Sequence, residues 1–94
     1  MSRTKKCRCV EFKPSCLCFK PQGKRSKCGC EVSLFEDELE SIKLIDFDGL
    51  DQLGAARKMK VSRVTVQRIY KSAREKIANA LILGKEIAFR RGGD

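Results

Sequence analysis

The six cysteines of the sequence form three Cys-x-Cys pairs, which makes thiolate chemistry the first question. The pairs are Cys7/Cys9, Cys16/Cys18 and Cys28/Cys30. In an extended segment, residues two apart point to the same face, so each pair can offer two sulfurs to one centre. Two pairs complete a tetrahedral zinc site, and four thiolates also suit an iron–sulfur cluster. Redox thiols without metal and inert small residues are the alternatives.

A second group of side chains has the chemistry needed to recognise DNA. Arginine can bond guanine through two hydrogen bonds, glutamine can bond adenine, and valine methyls can contact the thymine methyl. The predicted base-reading residues are Arg63, Val64, Gln67, Arg68 and Lys71. The residues expected at phosphates, where contacts position a protein without reading sequence, are Lys58, Lys60, Arg74 and Lys76. Ser62, at the start of the reading helix, completes the predicted DNA-binding set.

No pattern in the sequence indicates catalysis. There is no histidine, no glycine-rich phosphate loop and no nucleophile beside an evident partner. The acidic residues at positions 36, 37, 38 and 40 suggest paired carboxylates at first sight. At the start of a helix they are more simply surface groups that complement the helix dipole. We therefore expect a binding protein without catalytic residues.

The predicted DNA-binding side chains require two helices and a tight turn, and residues 52–71 match a helix-turn-helix. Asp51 can cap a helix over 52–59, and Ser62 can cap a third helix from Arg63 to about Leu83. Ala56 provides the small residue that closely crossing helices need. The predicted apolar wedge is Ala55, Met59, Val61, Val66 and Ile69. The turn position usually taken by glycine is Lys60, which costs on the order of 1 kcal/mol if it is left-handed.

The flanking segments contain weaker signals. Ser33-Leu34-Phe35-Glu36 has the form of a capping box and predicts a first helix over 34–47, with Gly49 as its stop. The long third helix is expected to bury Val66, Ile69, Ala73, Ile77 and Ala80 or Leu81. Short strands are predicted at Arg8–Phe12, Cys16–Phe19 and Glu86–Phe89. Ile87 and Phe89 are expected to meet Val10 and Phe12 in a small sheet.

Together these elements predict a mainly α-helical fold: a three-helix domain over 33–94 that contains the helix-turn-helix. A basic, cysteine-rich extended arm over 1–32 precedes the domain, and a short C-terminal strand completes it. The net charge of +9 is segregated into +7 over 1–32, −6 over 33–53 and +8 over 54–94. Such a basic chain favours a polyanionic partner, with the acidic middle facing away from it.

The sequence also indicates where the protein acts. No apolar run reaches the roughly 18 to 20 residues that cross a bilayer, and the start lacks an apolar signal-peptide segment. We therefore expect a cytoplasmic protein. In that reducing compartment, cysteines are metal ligands or thiols more often than disulfides.

The sequence resembles two known groups. VSRVTVQRIYKSAREKIANAL is similar to the end of the sigma-factor region 4 type of helix-turn-helix. Nearly the whole chain resembles the UPF0251 (DUF134) family of small prokaryotic predicted DNA-binding proteins. The matching pieces are Lys6-Cys7-Arg8, Phe19-Lys20-Pro21-Gln22-Gly23, Asp37-Glu38-Leu39-Glu40 and the helix-turn-helix through Gly84-Lys85. The resemblance implies DNA binding in bacteria or archaea.

The expected function is sequence-specific binding of double-stranded DNA in transcriptional control, made metal- or redox-responsive by the cysteine pairs. Homodimerisation through the third helix would match operator symmetry. One alternative is an adaptor of the transcription machinery that contacts RNA polymerase, with the acidic first helix as its docking face. Another is a metal-handling protein whose basic surface is incidental.

Overall fold

The computed structural model describes residues 10–13, 18–22 and 31–91. Its elements are β1 (Cys18–Phe19), β2 (Glu31–Phe35), α1 (Glu36–Ile42) with a π-helical continuation (Lys43–Phe47), α2 (Gln52–Met59), α3 (Arg63–Leu83) and β3 (Glu86–Arg90). The predicted mainly helical fold with three helices is confirmed. Most of the arm over 1–32 lies outside the described residues, and its separation from a domain over 33–94 stays a prediction. Within the described ranges, no helix combines the length and apolarity needed to cross a membrane.

The start of the first helix differs from the prediction. Ser33 does not cap a helix, because residues 31–35 form strand β2 and α1 begins at Glu36. The backbone N–H of Phe35 donates to the Glu38 carboxylate at 2.9 Å, so the reach-back half of a capping box is present two residues later than expected. The pairing of β2 with β3 outweighs the local helix signal at Ser33.

The end of the first helix agrees with the prediction. Helical structure stops at Phe47, and Gly49 has a positive φ of 87°. The last turn is π-helical, with the Asp48 N–H donating to the Lys43 carbonyl five residues back at 2.8 Å. That wider turn buries Leu44 but leaves Phe47 81 % exposed.

The sheet has the order β1-β3-β2, with β3 antiparallel to β1 and parallel to β2. The predicted C-terminal strand is confirmed, but its predicted partners are wrong. Ile87 is in register with Phe19 and Val32, whereas Val10–Lys13 forms no strand. Long-range pairing of this kind depends on which edges the helices leave free, so alternation along one segment does not reveal it.

Two apolar clusters form the core, and α3 joins them. Val66 and Ile69 pack with α2 and Leu44 in the first cluster, while Ala73 and Ala80 pack against the sheet in the second. Leu81 is 73 % exposed, so the buried stripe of α3 continues through Ala80 and not through Leu81. The N-terminal half of α3 is thus held by α2, and its C-terminal half by the sheet.

Candidate nucleic-acid interface

Helices α2 and α3 begin at the capping residues expected from the sequence. The Asp51 carboxylate accepts from the Gly54 N–H at 2.8 Å, and the Ser62 hydroxyl accepts from the Thr65 N–H at 3.2 Å. Each bond satisfies one of the free backbone donors at a helix start. The predicted bounds of both helices are confirmed.

The turn between α2 and α3 depends on Lys60. Its φ of 60° and ψ of 45° place it in the left-handed region, as expected for the position that usually carries glycine. This conformation lets the Val61 N–H donate to the Ala56 carbonyl at 3.1 Å. The backbone therefore reverses within three residues, and α3 packs back onto α2.

The predicted apolar wedge between the two helices is confirmed. Ala55, Met59 and Val66 are completely buried, Ala56 is 3 % exposed, and Val61 packs against the same cluster. A larger side chain at position 56 would need space that the close helix contact does not offer. This wedge fixes which side of α3 faces inward and, consequently, which side faces solvent.

The outward side of α3 presents the predicted base-reading residues together. Arg63, Val64, Gln67, Arg68 and Lys71 are all exposed. Residues 63, 67 and 71 follow one another at four-residue spacing, with 64 and 68 on the adjacent row, so they share one helix face. Val64 is 68 % exposed although it is aliphatic, which leaves its methyl groups available on an otherwise polar surface.

The electrostatics of this surface favour an anionic partner. From Gln52 to Arg74 the sequence has seven Lys or Arg residues and no Asp or Glu. Lys71 pairs with Glu75 at 3.3 Å, and Arg63 donates to the Gln52 amide oxygen at 3.5 Å. Within the described part of the chain, Arg57, Lys58, Lys60 and Arg68 form no ion pair. Most of the positive charge is therefore not neutralised within the described structure.

The predicted phosphate contacts divide into two groups. Lys58, Lys60 and Arg74 are exposed. Lys76 is not available, because its ammonium lies 2.8 Å from the Glu38 carboxylate and over the Phe35 ring at 4.6 Å. Position 76 lies on the side of α3 that faces α1, so the prediction for Lys76 is wrong.

Arg74 belongs to a small network between α3 and the end of the first helix. Its guanidinium stacks over the Tyr70 ring at 5.3 Å and donates to the Tyr70 hydroxyl at 3.2 Å. That hydroxyl donates in turn to the Asp46 carboxylate at 2.8 Å. Burial and the Asp46 hydrogen bond raise the pKa of Tyr70 above its ordinary value of 10.0, although Arg74 opposes them. The network orients Arg74 and links α3 to the end of the first helix.

A buried polar cluster that the sequence did not reveal holds α3 against α1. Glu38 is 7 % exposed and accepts from the Phe35 N–H, from the Ser72 hydroxyl at 2.7 Å and from Lys76. Ser72 and Lys76 are four residues apart and therefore adjacent on α3. The sequence signal that could have indicated this cluster is the four-residue spacing of Ser72 and Lys76, together with a glutamate three residues after Phe35.

The acidic segment at positions 36–40 is not the surface feature that was expected. Asp37 is 7 % exposed and Glu40 4 %. The Glu40 carboxylate accepts from the Phe12 N–H at 3.0 Å, which ties residues 10–13 to α1. Glu38 and Glu40 thus form hydrogen bonds within the fold, and the burial of Asp37, Glu38 and Glu40 reduces the acidic surface that α1 offers to a docking partner.

The cysteine predictions fall mostly outside the described residues. Cys7, Cys9, Cys16, Cys28 and Cys30 lie there, and only Cys18 is described, in β1 opposite Ala88. In the described ranges, no group of three or more Cys, Asp or Glu residues could hold a metal ion. The predicted zinc or iron–sulfur site therefore stays a prediction.

Comparison with known proteins identifies the family. A family model described as a protein of unknown function, DUF134, matches residues 1–94. The chain belongs to this family. A UPF0251 protein of Halothermothrix orenii is 50 % identical over 94 residues, which are 100 % of this chain and 69 % of the relative. A UPF0251 protein of Chlorobium chlorochromatii is 44 % identical over 96 % of this chain and 51 % of the relative.

A third relative, a UPF0251 protein of Thermoanaerobacter pseudethanolicus, is 47 % identical over 98 % of this chain and 78 % of the relative. The chain thus spans between about half and four fifths of the length of these three relatives. No solved structure matches the chain significantly. The resemblance to the UPF0251 (DUF134) family is confirmed, whereas the family description itself states no activity.

Proposed function

We propose that this chain binds double-stranded DNA in a sequence-specific manner, with α2 and α3 acting as a helix-turn-helix and α3 entering the major groove. The observation that carries the proposal is the exposed face of α3 formed by Arg63, Val64, Gln67, Arg68 and Lys71. Helix α3 begins after a three-residue turn, and the side of α3 opposite this face packs on α2. A helix of this kind fits the major groove, which is about 12 Å wide.

Charge and side-chain chemistry support the same proposal. The surplus of cations between Gln52 and Arg74 provides the salt-dependent attraction to phosphates that all DNA-binding proteins need. Arg63 and Gln67 provide the two side chains best suited to paired hydrogen bonds with guanine and adenine. Their position in the first two turns of α3 corresponds to the part of a recognition helix that lies deepest in the groove.

Selection of bound duplexes from a random pool tests the proposal directly. We expect a preferred sequence to emerge, with an affinity that falls steeply as salt rises because bound counterions are released. A selected pool no different from the starting pool would contradict sequence-specific binding. A weak salt response would contradict contact with several phosphates.

Two substitutions test the assigned base contacts. Arg63→Ala and Gln67→Ala should each cost roughly 1 to 3 kcal/mol of binding free energy and relax the preference at one base pair. Arg63→Lys keeps the charge without the two-pronged donor and should preserve general affinity but not selectivity. Asn79→Ala removes an exposed amide from the other end of α3 and serves as the control. Unchanged selectivity of both alanine variants would reject the groove assignment.

A third substitution tests the phosphate role. Arg74→Ala should weaken binding to all duplexes by a similar factor and lower the salt slope by about one. Lys58→Ala should do the same from the end of α2. A loss that depends on duplex sequence would instead place Arg74 at a base edge.

We propose that the protein regulates transcription when it is bound to DNA. We also propose that it contacts RNA polymerase there. The adaptor alternative, with acidic α1 as its docking face, is disfavoured because Asp37, Glu38 and Glu40 are buried. Nothing in the described residues favours catalysis over binding. We propose that the chain is a binding protein and not an enzyme.

We also propose that the cysteine pairs make DNA binding respond to metal or to redox state. Zinc would suit two Cys-x-Cys pairs, and an iron–sulfur cluster would suit the same four thiolates. Metal content measured on the protein used for duplex selection tests this point. Treatment with a chelator should alter the circular dichroism spectrum if a metal helps to fold the first 32 residues, and an unchanged spectrum would count against a structural metal.

A further inference from the structure

A hollow lined by apolar side chains and cations lies where β2, β3 and the start of α1 meet. Its volume is about 210 Å³. Leu34 and Phe89 are partners in the parallel pairing of β2 with β3, so their side chains lie next to each other on one face of the sheet. Leu39 of α1 and Phe12 complete the apolar part of the lining. We call these four residues the apolar lining.

Contacts within the fold hold the apolar lining in place. Leu34 is buried in the second core cluster, and Phe89 packs against that cluster. The Phe89 ring also meets the Phe19 ring edge-on, with 5.9 Å between the ring centroids. The Phe12 N–H donates to the Glu40 carboxylate at 3.0 Å, which fixes the backbone of Phe12 against α1. The hollow is therefore formed without a ligand, and a preformed site avoids the free-energy cost of ordering it on binding.

Positive charge lines the same hollow. Among the described residues around it, Lys13, Arg90 and Arg91 are cations and Glu36 is an acid. Arg90 is already engaged, because its guanidinium pairs with the Glu31 carboxylate. Lys13 and Arg91 are exposed and form no ion pair within the ranges that the structure describes. Two cations at the solvent side of an apolar hollow thus remain available to an anion.

We propose that this hollow binds a small amphipathic carboxylate, whose body is one apolar ring or a short apolar chain. A cavity of about 150 Å³ holds benzene, so 210 Å³ holds a body of this size. Drug-sized ligands need about 300 Å³ or more. The apolar lining buries the body, and Lys13 and Arg91 donate charge-assisted hydrogen bonds to the carboxylate. The described lining residues all lie outside α2 and α3, so the proposal does not depend on DNA binding.

Methyl nuclear magnetic resonance spectra of the full chain, titrated with benzoate and separately with hexanoate, test the site. We expect saturable shifts of the Leu34 and Leu39 methyl signals with at least one probe, and the tighter probe distinguishes a ring from a chain. Benzyl alcohol and hexanol keep the apolar bodies without the charge and should bind about fivefold or more weakly. Inorganic phosphate keeps the charge without the body and should leave both leucine signals unshifted.

Substitutions separate the contribution of charge from that of apolar contact. Arg91→Gln and Lys13→Gln should each weaken binding of the carboxylate about two- to fivefold and leave binding of the alcohol unchanged. Arg57→Gln removes an exposed cation from α2 and is the matched control, with no effect on either compound. Phe12→Ser should weaken the carboxylate and the alcohol by the same factor, with Phe47→Ser at the end of the first helix as its control. Circular dichroism should show these variants folded.

Several results would overturn the site. Unshifted Leu34 and Leu39 signals with both probes would do so, as would equal binding of carboxylate and alcohol. Equal shifts of the Leu81 methyl signals, in the other hollow beside Phe19, would show unspecific apolar binding. Phosphate binding as tight as that of the carboxylates would assign Lys13 and Arg91 to a general anion surface. Nuclear Overhauser contacts from residues 1–9 or 14–17 to the Leu39 methyl groups of the free protein would show the hollow filled by its own chain.

Discussion

Removing the carboxylate of Glu38 should destabilise the fold more than any surface substitution. In Glu38→Ala the Phe35 N–H, the Ser72 hydroxyl and the Lys76 ammonium all lose their acceptor. Breaking a buried ion pair on one side costs about 3 to 5 kcal/mol, because the other charge stays without compensation. The Lys76 side chain is 28 % exposed and can turn toward water, so we expect about 3 kcal/mol in total.

Urea unfolding followed by circular dichroism measures this loss. For a chain of this length, about 3 kcal/mol corresponds to a fall in Tm of roughly 12 to 24 °C. A double-mutant cycle with Lys76→Met isolates the pair, and we expect a coupling of about 1 to 2 kcal/mol. Lys71→Met is the matched control, because Lys71 pairs with Glu75 at the surface, where such pairs contribute about 0 to 1 kcal/mol.

Two results would refute this account of Glu38. One is a loss of less than about 1 kcal/mol in the free energy of unfolding of Glu38→Ala, since removal of a buried carboxylate that accepts several hydrogen bonds should cost more than that. The other is strict additivity of the Glu38 and Lys76 variants. A mild phenotype of Glu38→Leu combined with Lys76→Met would agree with the account, since replacing both partners by apolar residues avoids an unpaired buried charge.

Two further predictions follow from local geometry. Lys60→Gly should raise the free energy of unfolding by about 0.5 to 1 kcal/mol, since Lys60 holds a left-handed conformation. The control Lys58→Gly, inside α2, should lower the free energy of unfolding by about 1 kcal/mol. Equal effects of the two variants in urea unfolding would contradict the role of the left-handed backbone at Lys60. Tyr70, the only tyrosine in a chain without tryptophan, should titrate above its ordinary pKa in ultraviolet absorbance. Because the folded state favours the neutral phenol, this contribution to stability is complete below pH 10.0 and is lost as the pH rises through the raised pKa. Asp46→Asn should lower that pKa and Arg74→Gln should raise it, and opposite shifts would show that neither group acts on the phenol as described.

The two helices α2 and α3 with the turn between them were the most predictable part of the fold. Its capping residues Asp51 and Ser62 bond to backbone groups three residues away, so the sequence signal and the structure lie within one turn of helix. The left-handed Lys60 was predictable for the same reason, because the two flanking helix patterns leave only a short connection. The buried wedge followed from the spacing of apolar residues along α2 and α3.

The candidate site was predictable only where it depends on the periodicity of one helix. Exposure of Arg63 and Gln67 follows from burial of Val66 and Ile69 on the opposite side of α3. Lys76 was assigned wrongly because its role depends on Glu38, 38 residues away in sequence. Ser33 was assigned wrongly because a capping pattern and a strand compete there, and only the partner strand β3 decides between them.

The sequence by itself determined the bounds of α2 and α3, the turn between them and the face that α3 turns to solvent, since these depend on hydrogen bonds and spacings within a few residues. Only the tertiary structure decided that residues 31–35 become a strand, that Glu38 is buried with Lys76, and that Leu81 remains exposed near Phe19. These outcomes join segments distant in the chain, and their free energies come from desolvation and packing that no local pattern encodes.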